Sequence, residues 1–175
     1  MLLSKSQIML GILLVAFVVA TAAALPQHEK AKRVCHCLAL GGGGDRGAYE
    51  AGAISGLAEN LPLRNVSWDY ITGISAGAIN AAAMAMYNVS DTVEASKFLI
   101  SNWQQISKDN IYRNWIPGGI AEGFLLKSGL LDTEPLAEYL QKVMNVQALR
   151  NSDRGLLIGA TSLTKSEFET FEKDD

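Results

Sequence analysis

The apolar residues of this chain form short continuous runs that alternate with stretches in which they recur at helical spacing. A continuous run from Val34 to Leu40 predicts a parallel strand covered on both faces. Residues 46–61 carry apolar side chains at helical spacing up to Pro62, which predicts a helix that ends there. The two patterns return over residues 66–72 and 75–87, the second rich in alanine. Strand, helix, strand, helix in this order predicts a right-handed parallel βαβ core.

The second half of the chain continues this alternation with two amphipathic helices and two strands. The helices are predicted over residues 91–103 and 133–144, and the strands over 155–162 and 167–171, joined by a tight polar turn. The predicted fold class is therefore α/β, a parallel-core sheet with helices on both faces.

The segment from Trp103 to Leu131 has many large apolar residues but is interrupted by proline and glycine. An irregular connection that packs these residues into the core is the favoured interpretation, because apolar side chains in loops are more often packed than displayed. An acyl-chain groove or a cap at a lipid interface is the alternative, since aromatic side chains favour that interface.

Residues 1–24 have the features of a secretory signal peptide. Lys5 precedes an uncharged apolar run from Ile8 to Val19, and small residues in A-x-A spacing follow. The predicted organisation is this signal peptide, a short segment over residues 25–33 and a folded domain over residues 34–175. The protein is then expected in the secretory pathway, either secreted or in an organelle lumen.

The alternative for the same segment is an uncleaved membrane anchor. Residues 8–24 are 17 apolar or small residues, at the lower limit of the roughly 17 to 25 that cross a bilayer. On this interpretation these residues would hold the domain at the membrane.

The charge balance gives no sign of a nucleic-acid partner. The 175 residues include 15 Lys and Arg against 18 Asp and Glu, a net charge of −3. Cleavage of the signal peptide would remove Lys5, leaving 14 basic residues (15 less 1) against 18 acidic ones. A mildly acidic domain without a basic tract is not expected to bind nucleic acid, and it is not drawn electrostatically to anionic lipid.

Cysteine and histidine stand together in Cys35-His36-Cys37. This spacing offers soft metal ligands, but no further Cys and no distant His completes a set of four, so no metal is expected. The favoured interpretation is two small residues buried in the core strand. Elsewhere, Asn65 and Asn88 begin N-x-S sequons in predicted loops, which would accept glycans in a eukaryotic secretory pathway.

Two glycine-rich turns, each at the end of a predicted strand, carry the candidate chemistry. The second, Gly73-Ile74-Ser75-Ala76-Gly77, is a G-x-S-x-G sequence, which predicts a serine on a sharp strand-to-helix bend with its hydroxyl exposed. The first, Gly42 to Gly47, places backbone N–H groups at a helix start, where they can hold the negative charge of a tetrahedral acyl intermediate. The pair predicts a serine acyl hydrolase.

The positions of the histidines argue against the usual catalytic triad. An α/β-hydrolase triad runs Ser, then Asp or Glu, then His along the chain. Both histidines of this sequence, His28 and His36, precede Ser75. The base is therefore expected to be a carboxylate, unless His36 reaches the serine from the first strand.

Taken together, the two motifs in this order and spacing resemble the patatin-like phospholipase family. The resemblance lies in Leu38–Gly52 (LALGGGGDRGAYEAG) and Ile71–Ala82 (ITGISAGAINAA), and it extends to Leu130–Leu136 and Leu157–Phe171. It implies a three-layer patatin-like architecture and a Ser/Asp dyad that needs no metal or cofactor. It also implies lipid ester substrates, either phospholipids or neutral acyl lipids, met at a membrane or micelle surface.

The resemblance also implies roles for individual residues. Ser75 would be the nucleophile, on an elbow shaped by Gly73 and Gly77. The remaining roles fall on the first turn, with oxyanion-hole amides from Gly42, Gly43, Gly44 and Asp45, and support for that loop from Arg46 and Gly47.

This sequence departs from the family pattern at two places. Asp45 stands where the family more often has a small residue. The catalytic aspartate of the family lies in a D-G-G or D-G-A turn downstream of the serine, and no Asp here is followed by Gly. The aspartates after Ser75 look instead like helix starts, polar turns or terminal residues; they are Asp91, Asp109, Asp132, Asp153, Asp174 and Asp175. We therefore expect a partial, truncated domain with little or no hydrolase activity as written.

Two other functions remain open from the sequence. A non-catalytic lipid-binding relative would keep the fold and lack the base. A dinucleotide-binding domain would use Gly42, Gly44 and Gly47 as a G-x-G-x-x-G fingerprint, with Asp69 about 20 residues further on as the ribose contact. The dinucleotide interpretation leaves the G-x-S-x-G turn unexplained.

Overall fold

Four strands form one sheet in a computed structural model that describes residues 34–127 and 129–175. The strand order is β1-β2-β3-β4, with β1, β2 and β3 parallel and β4 antiparallel to β3. The strands are β1 (Cys37–Leu40), β2 (Tyr70–Ile74), β3 (Gly155–Ser162) and β4 (Glu167–Glu172). The predicted signal peptide over residues 1–24 and the segment over residues 25–33 lie outside the described residues.

Helices surround this sheet and fill the connections between its strands. In the described part of the chain they are α1 (Gly47–Asn60), α2 (Leu63–Val66), α3 (Ala76–Ala85), α4 (Thr92–Gln105), α5 (Gly119–Leu126), α6 (Glu134–Val143) and α7 (Val146–Asn151). The α/β class with a mostly parallel sheet is confirmed, and the arrangement is consistent with a three-layer patatin-like fold.

The boundaries of the two N-terminal strands differ from those predicted. β1 begins at Cys37 rather than Val34. β2 begins at Tyr70 rather than Val66, because Val66 ends the short helix α2 and residues 67–69 connect the helix to the strand. Each predicted strand opened at a valine, but pairing begins three or four residues later, which composition alone does not mark. The strands over 155–162 and from 167 onward lie where they were predicted, and β4 extends one residue further, to Glu172.

The apolar core lies against one face of the sheet. Leu38, Ile71 and Leu156 share one row of the strand register, and Ile71 is fully buried. The small residues of α3 let this helix lie close to all three parallel strands. On the opposite face of β1, Cys37 and Ala39 are exposed, so the prediction that β1 is covered on both faces is wrong. Among residues 34–127 and 129–175, β1 is an edge strand of four residues that pairs with β2 alone.

A buried arginine joins the strands to the helices and was not predicted. Arg154, directly before β3, is fully buried. Its guanidinium donates to the carbonyls of Trp68, Tyr87 and Asn88 at 3.0–3.2 Å and to the hydroxyl of Thr92 at 3.0 Å. Burial lowers the pKa of Arg154 to about 10. All these partners are neutral, so carbonyl and hydroxyl oxygens bind the buried guanidinium directly, while the negative charges of Asp153, Asp69 and Asp91 partly offset the effect of burial on its pKa.

The segment from Trp103 to Leu131 contradicts its favoured interpretation. Its C-terminal part forms the helix α5 and displays large apolar side chains instead of burying them; those exposed are Ile116, Ile120, Phe124, Leu125, Leu126 and Leu130. Trp103, Ile111 and Tyr112, earlier in the segment, are half-buried. Trp103 packs against the core, whereas the part of the segment that carries α5 leaves its large apolar side chains exposed.

None of the described helices is both long enough and apolar enough to cross a bilayer.

Candidate active site

Ser75 lies alone between β2 and α3, on a backbone bend with φ 53° and ψ −127°. This left-handed conformation costs a non-glycine residue about 1–3 kcal/mol, and it persists only where the surroundings enforce it. The side chain is exposed, and its hydroxyl has no hydrogen-bond partner among the described residues. The turn therefore presents the serine oxygen to solvent.

The flanking glycines of the turn are required by close backbone approach. A Cβ at Gly73 would lie 2.2 Å from the carbonyl oxygen of Gly77, and a Cβ at Gly77 would lie 2.5 Å from the carbonyl oxygen of Gly41. Any larger residue would separate α3 from β1 and from its own strand. The bend at Ser75 is thus built by contacts between the end of β1 and the start of α3.

The first glycine turn runs directly beside Ser75. A Cβ placed at Gly42 would lie 3.1 Å from Ser75 Cβ and 3.8 Å from its Oγ. The amides of Gly42 and Gly43 have no hydrogen-bond partner among residues 34–127 and 129–175. Gly44 has φ +58° and starts the 3₁₀ turn Gly44–Arg46, which leads into α1. Unpartnered amides at a helix start form a site for negative charge.

Arg46 and Gly47 lie where the resemblance places the support of this loop. The amide of Arg46 donates to the carbonyl of Gly43 at 3.2 Å, and its side chain covers Gly43, with Cβ 3.1 Å from where a Gly43 Cβ would lie. Gly47 is buried, and a Cβ there would lie 2.4 Å from the ring of Trp103. The loop is therefore packed from both sides.

A hydrogen-bond network that the sequence did not reveal ties this loop to α3 and α4. Glu50 accepts from the amide of Gly41 at 2.8 Å and from Asn80 Nδ2 at 3.1 Å. Asn80 is fully buried and also donates to the carbonyl of Gly47 at 3.0 Å. Trp103 Nε1 donates to Asn80 Oδ1 at 2.8 Å. The network holds both ends of the glycine loop against the helix that carries Ser75.

Ser75 opens into a cavity of about 880 Å³. Most side chains on its wall are apolar and come from α3, α4, α6 and the 3₁₀ turn Lys108–Asn110; they include Ile79, Phe98, Leu99, Ile111, Tyr112, Leu136, Leu140, Val143 and Met144. Gly44 and Asp45 line the same cavity. An apolar wall beside an exposed serine and free amides suits an acyl chain whose ester group lies at the serine.

The model of the patatin-like phospholipase family matches residues 38–175. The chain belongs to this family. No curated protein and no solved structure was found to match the chain. Patatin-like proteins are lipid acyl hydrolases, and their substrates in general are lipids.

Most carboxylates that follow Ser75 in this patatin-like domain are engaged elsewhere. Asp132 accepts from the backbone amide of Glu134 at 3.0 Å and pairs with Arg113 at 2.8 Å. The backbone hydrogen bond, and then Arg113, hold the pKa of Asp132 below its usual range. Asp153 accepts from the amide of Val89 at 2.8 Å. Neither carboxylate lines the cavity.

The other aspartates are no closer to the role of a base. Asp91 is at the start of α4 as predicted, but it accepts from the Ser90 hydroxyl at 2.8 Å and makes no capping hydrogen bond. Asp109, Asp174 and Asp175 are exposed. Asp45 is the one carboxylate among the described residues that lines the cavity with Ser75.

His36 is at the wrong end of the sheet to serve as the base. It pairs with Asp69 at the amino end of β2, where its amide donates to Asp69 Oδ2 at 2.9 Å and its carbonyl accepts from Tyr70 at 3.2 Å. Ser75 follows the carboxyl end of the same strand, about 16 Å away at about 3.3 Å per residue. The expected ribose contact from Asp69 fails for the same reason, because Gly42 and Ser75 lie at the opposite edge of the sheet.

The cysteines and sequons also differ from their predicted settings. Cys35 and Cys37 are exposed, not buried, because Cys35 precedes β1 and Cys37 lies on the face of β1 that is turned away from the described core. No group of three or more potential metal ligands occurs in the part of the chain that the structure describes. Asn65 lies in α2 rather than in a loop. Asn88 precedes the 3₁₀ turn Val89–Asp91, as expected for a connection, and both asparagines are exposed.

Proposed function

We propose that this patatin-like domain is built as a serine acyl hydrolase of lipid esters, of the phospholipase A or acylglycerol lipase type. The observation that carries the proposal is the strained bend at Ser75, which presents an exposed hydroxyl beside the unpartnered amides of the Gly42 turn. The apolar cavity on the same side would take the acyl chain. Strain at an exposed serine is typical of an activated nucleophile.

The chemistry follows from the placement of these groups. A carboxylate base takes the proton from Ser75 Oγ, and the oxygen attacks the ester carbonyl carbon. The carbonyl π electrons move onto oxygen, where the amides of Gly43, Gly44 and Asp45 and the start of α1 stabilise the charge. Collapse of this intermediate expels the alcohol, which takes the proton from the carboxylic acid. Water, deprotonated by the same carboxylate, then releases the fatty acid.

The weak point of this mechanism in the present chain is the base. The D-G-[GA] aspartate is absent from the 175 residues. Asp45 does not replace it, because its carboxylate would place a negative charge beside the amides of the oxyanion hole. We propose that these residues arrange the nucleophile and the oxyanion hole but give little or no turnover alone. A non-catalytic lipid-binding role is the alternative that this same absence favours.

Two measurements separate these possibilities. A soluble fluorophosphonate probe should label Ser75 in the full chain, with Ser75→Ala as the blank and Ser55→Ala, on the exposed face of α1, as the matched control. Hydrolysis of a short-chain p-nitrophenyl ester should be slow, and should rise when the chain is extended through a D-G-[GA] segment. Absence of labelling at Ser75 would reject the proposal of a serine hydrolase. Full activity without the extension would reject the proposal that the base is missing from these residues.

The proposal also includes the predicted entry of the protein into the secretory pathway. We propose that residues 1–24 direct the chain to the secretory pathway, or that residues 8–24 anchor it there in the membrane, and that Asn65 and Asn88 can then accept glycans. The division of the protein between the membrane and soluble fractions distinguishes an anchor from a cleaved signal peptide, and the size of the protein before and after glycosidase treatment tests the glycans.

A further inference from the structure

The chain between Arg113 and Asp132 leaves the domain as a closed loop. The amide of each residue donates to the carbonyl of the other, at 2.9 and 3.0 Å, and their side chains pair at 2.8 Å. We call residues 114–127 and 129–131 the apolar excursion. Its two ends are fixed at one point, so it projects as a unit.

The apolar excursion exposes large hydrophobic side chains at high density. Six of its residues are 56–86 % exposed: Ile116, Ile120, Phe124, Leu125, Leu126 and Leu130. Single exposed apolar residues are normal on protein surfaces, whereas a contiguous group marks an interaction surface. The exposed group is therefore a candidate contact surface.

The shape of the apolar excursion is fixed from within. A Cβ at Gly123 would lie 2.4 Å from the carbonyl oxygen of Leu130, so α5 packs directly on the returning backbone. Trp115 Nε1 donates to the carbonyl of Gly129 at 3.0 Å. The amide of Gly118 donates to Glu122 at 2.9 Å. These bonds satisfy polar groups inside the loop and leave the apolar side chains outside.

The apolar excursion carries no net charge. Its two charged residues, Glu122 and Lys127, pair with each other at 3.6 Å, and the Lys127 ammonium also lies 5.0 Å from the centre of the Trp115 ring. A protein partner is usually oriented by hydrogen bonds and charges at the rim of an apolar patch. In the apolar excursion, the charged and hydrogen-bonding groups named above pair with each other. The exposed surface therefore fits a partner that is uncharged and offers no fixed polar groups.

The apolar excursion is joined at both ends, along the chain, to segments that form part of the wall of the cavity. Ile111 and Tyr112, just before it, and Leu136, just after it, form part of the cavity wall. Insertion of the apolar excursion into a surface would therefore hold the adjoining cavity segments near that surface.

We propose that the apolar excursion inserts into the surface of an electrically neutral phospholipid membrane, a proposal that rests on the proposed lipid hydrolase function because it places the cavity against its substrate. Binding comes from apolar burial and not from charge, so it is insensitive to salt. Phosphatidylcholine is the probe, since it is zwitterionic.

The test uses the full chain and phosphatidylcholine vesicles containing brominated acyl chains. The double variant Phe124→Gln, Leu125→Gln should bind at least about tenfold more weakly, because two large apolar side chains no longer leave water. The matched control is Val146→Gln, Leu163→Gln, whose residues are also exposed and should leave binding unchanged. Brominated chains should quench Trp115, and Trp115→Phe should remove that quenched signal. All variants keep residues 1–33 unchanged, and Trp115 reports on the apolar excursion itself.

Three results would overturn the proposal. They are unaltered vesicle binding and Trp115 quenching in the double variant, binding that requires anionic lipid, and concentration-dependent self-association that the double variant abolishes. Ser75→Ala should bind vesicles as the parent chain does. Failure of probe labelling at Ser75 together with intact vesicle binding would therefore reject the hydrolase and keep the membrane contact.

Discussion

Replacing Gly77 by Ala tests the packing on which the Ser75 turn depends. Gly77 lies in the first turn of α3, and a Cβ there would be 2.5 Å from the carbonyl oxygen of Gly41 and 2.6 Å from the carbonyl carbon of Leu40. These are backbone atoms at the exit of β1, so no side-chain rotation relieves the overlap. The variant must move α3 away from the strand.

The magnitude follows from two opposing effects. Ala is preferred over Gly in a helix interior by about 1 kcal/mol. Overpacking typically costs about 1–3 kcal/mol, and the cost reaches or exceeds the upper end when backbone must move. The expected net loss in the free energy of unfolding is about 2 kcal/mol, which lowers Tm by about 4–8 °C in a domain of this size.

The matched control is the same substitution in a helix with open space. A Cβ at Gly52, in the middle of α1, would meet nothing within 4 Å. Gly52→Ala should therefore raise the free energy of unfolding by about 0.5–1 kcal/mol. Urea denaturation of both variants measures the two changes. Stability of Gly77→Ala equal to or above that of the parent chain, with its probe labelling at Ser75 unchanged, would refute the argument that α3 and β1 are in contact through this glycine.

Three further predictions concern groups around the site. Arg154→Met should lower the free energy of unfolding by about 3 kcal/mol or more in urea denaturation, because it leaves several buried carbonyls without a donor. Glu50→Gln should slow fluorophosphonate labelling of Ser75 severalfold per folded molecule, since an amide nitrogen would face the Asn80 donor; an unchanged rate would limit Glu50 to a structural role. Asp132, whose pKa is held below its usual range, should contribute stability above about pH 4 that is lost as pH falls through its lower folded pKa. The free energy of unfolding should fall less steeply in acid for Asp132→Asn than for the parent chain. Identical pH profiles for the two proteins would contradict the ion pair with Arg113.

Local pattern was enough to predict most of the regular elements. The helix of residues 47–60 and the strand of residues 155–162 follow their predicted positions closely, because helical spacing and continuous apolar runs are properties of neighbouring residues. The amphipathic pattern could not reveal α5, since its apolar residues do not form one buried face. Exposure of α5 depends on the pairing of Arg113 with Asp132, 19 residues apart, which no local pattern encodes.

In the candidate site, too, the features set by neighbouring residues could be predicted and those set by distant residues could not. The bend at Ser75 was predictable because its glycines are within two residues of the serine. The contacts of Asn80 with Gly47 and Glu50 were not, because they join residues 33 and 30 positions apart and use polar residues that look like ordinary helix surface. The burial of Arg154 escaped prediction for a similar reason, since its partners lie 62 to 86 residues away along the chain.

The contacts between the two glycine turns explain why nucleophile and turnover should be separable in this chain. Gly77 lies against the carbonyl of Gly41, and Gly42 lies against Ser75. These contacts between β1, β2 and α3, together with the hydrogen bonds of Glu50 and Asn80, hold the serine beside the amides. None of these contacts involves a carboxylate from further along the chain. On the proposed function, the oxyanion hole therefore needs no base in order to form, and a probe that needs only the serine and the amides should react. Repeated turnover requires proton transfer in both halves of the cycle, so it should depend on a carboxylate facing Ser75 Oγ. Measuring labelling and turnover on the same sample distinguishes an incomplete hydrolase from a fold that only binds lipid.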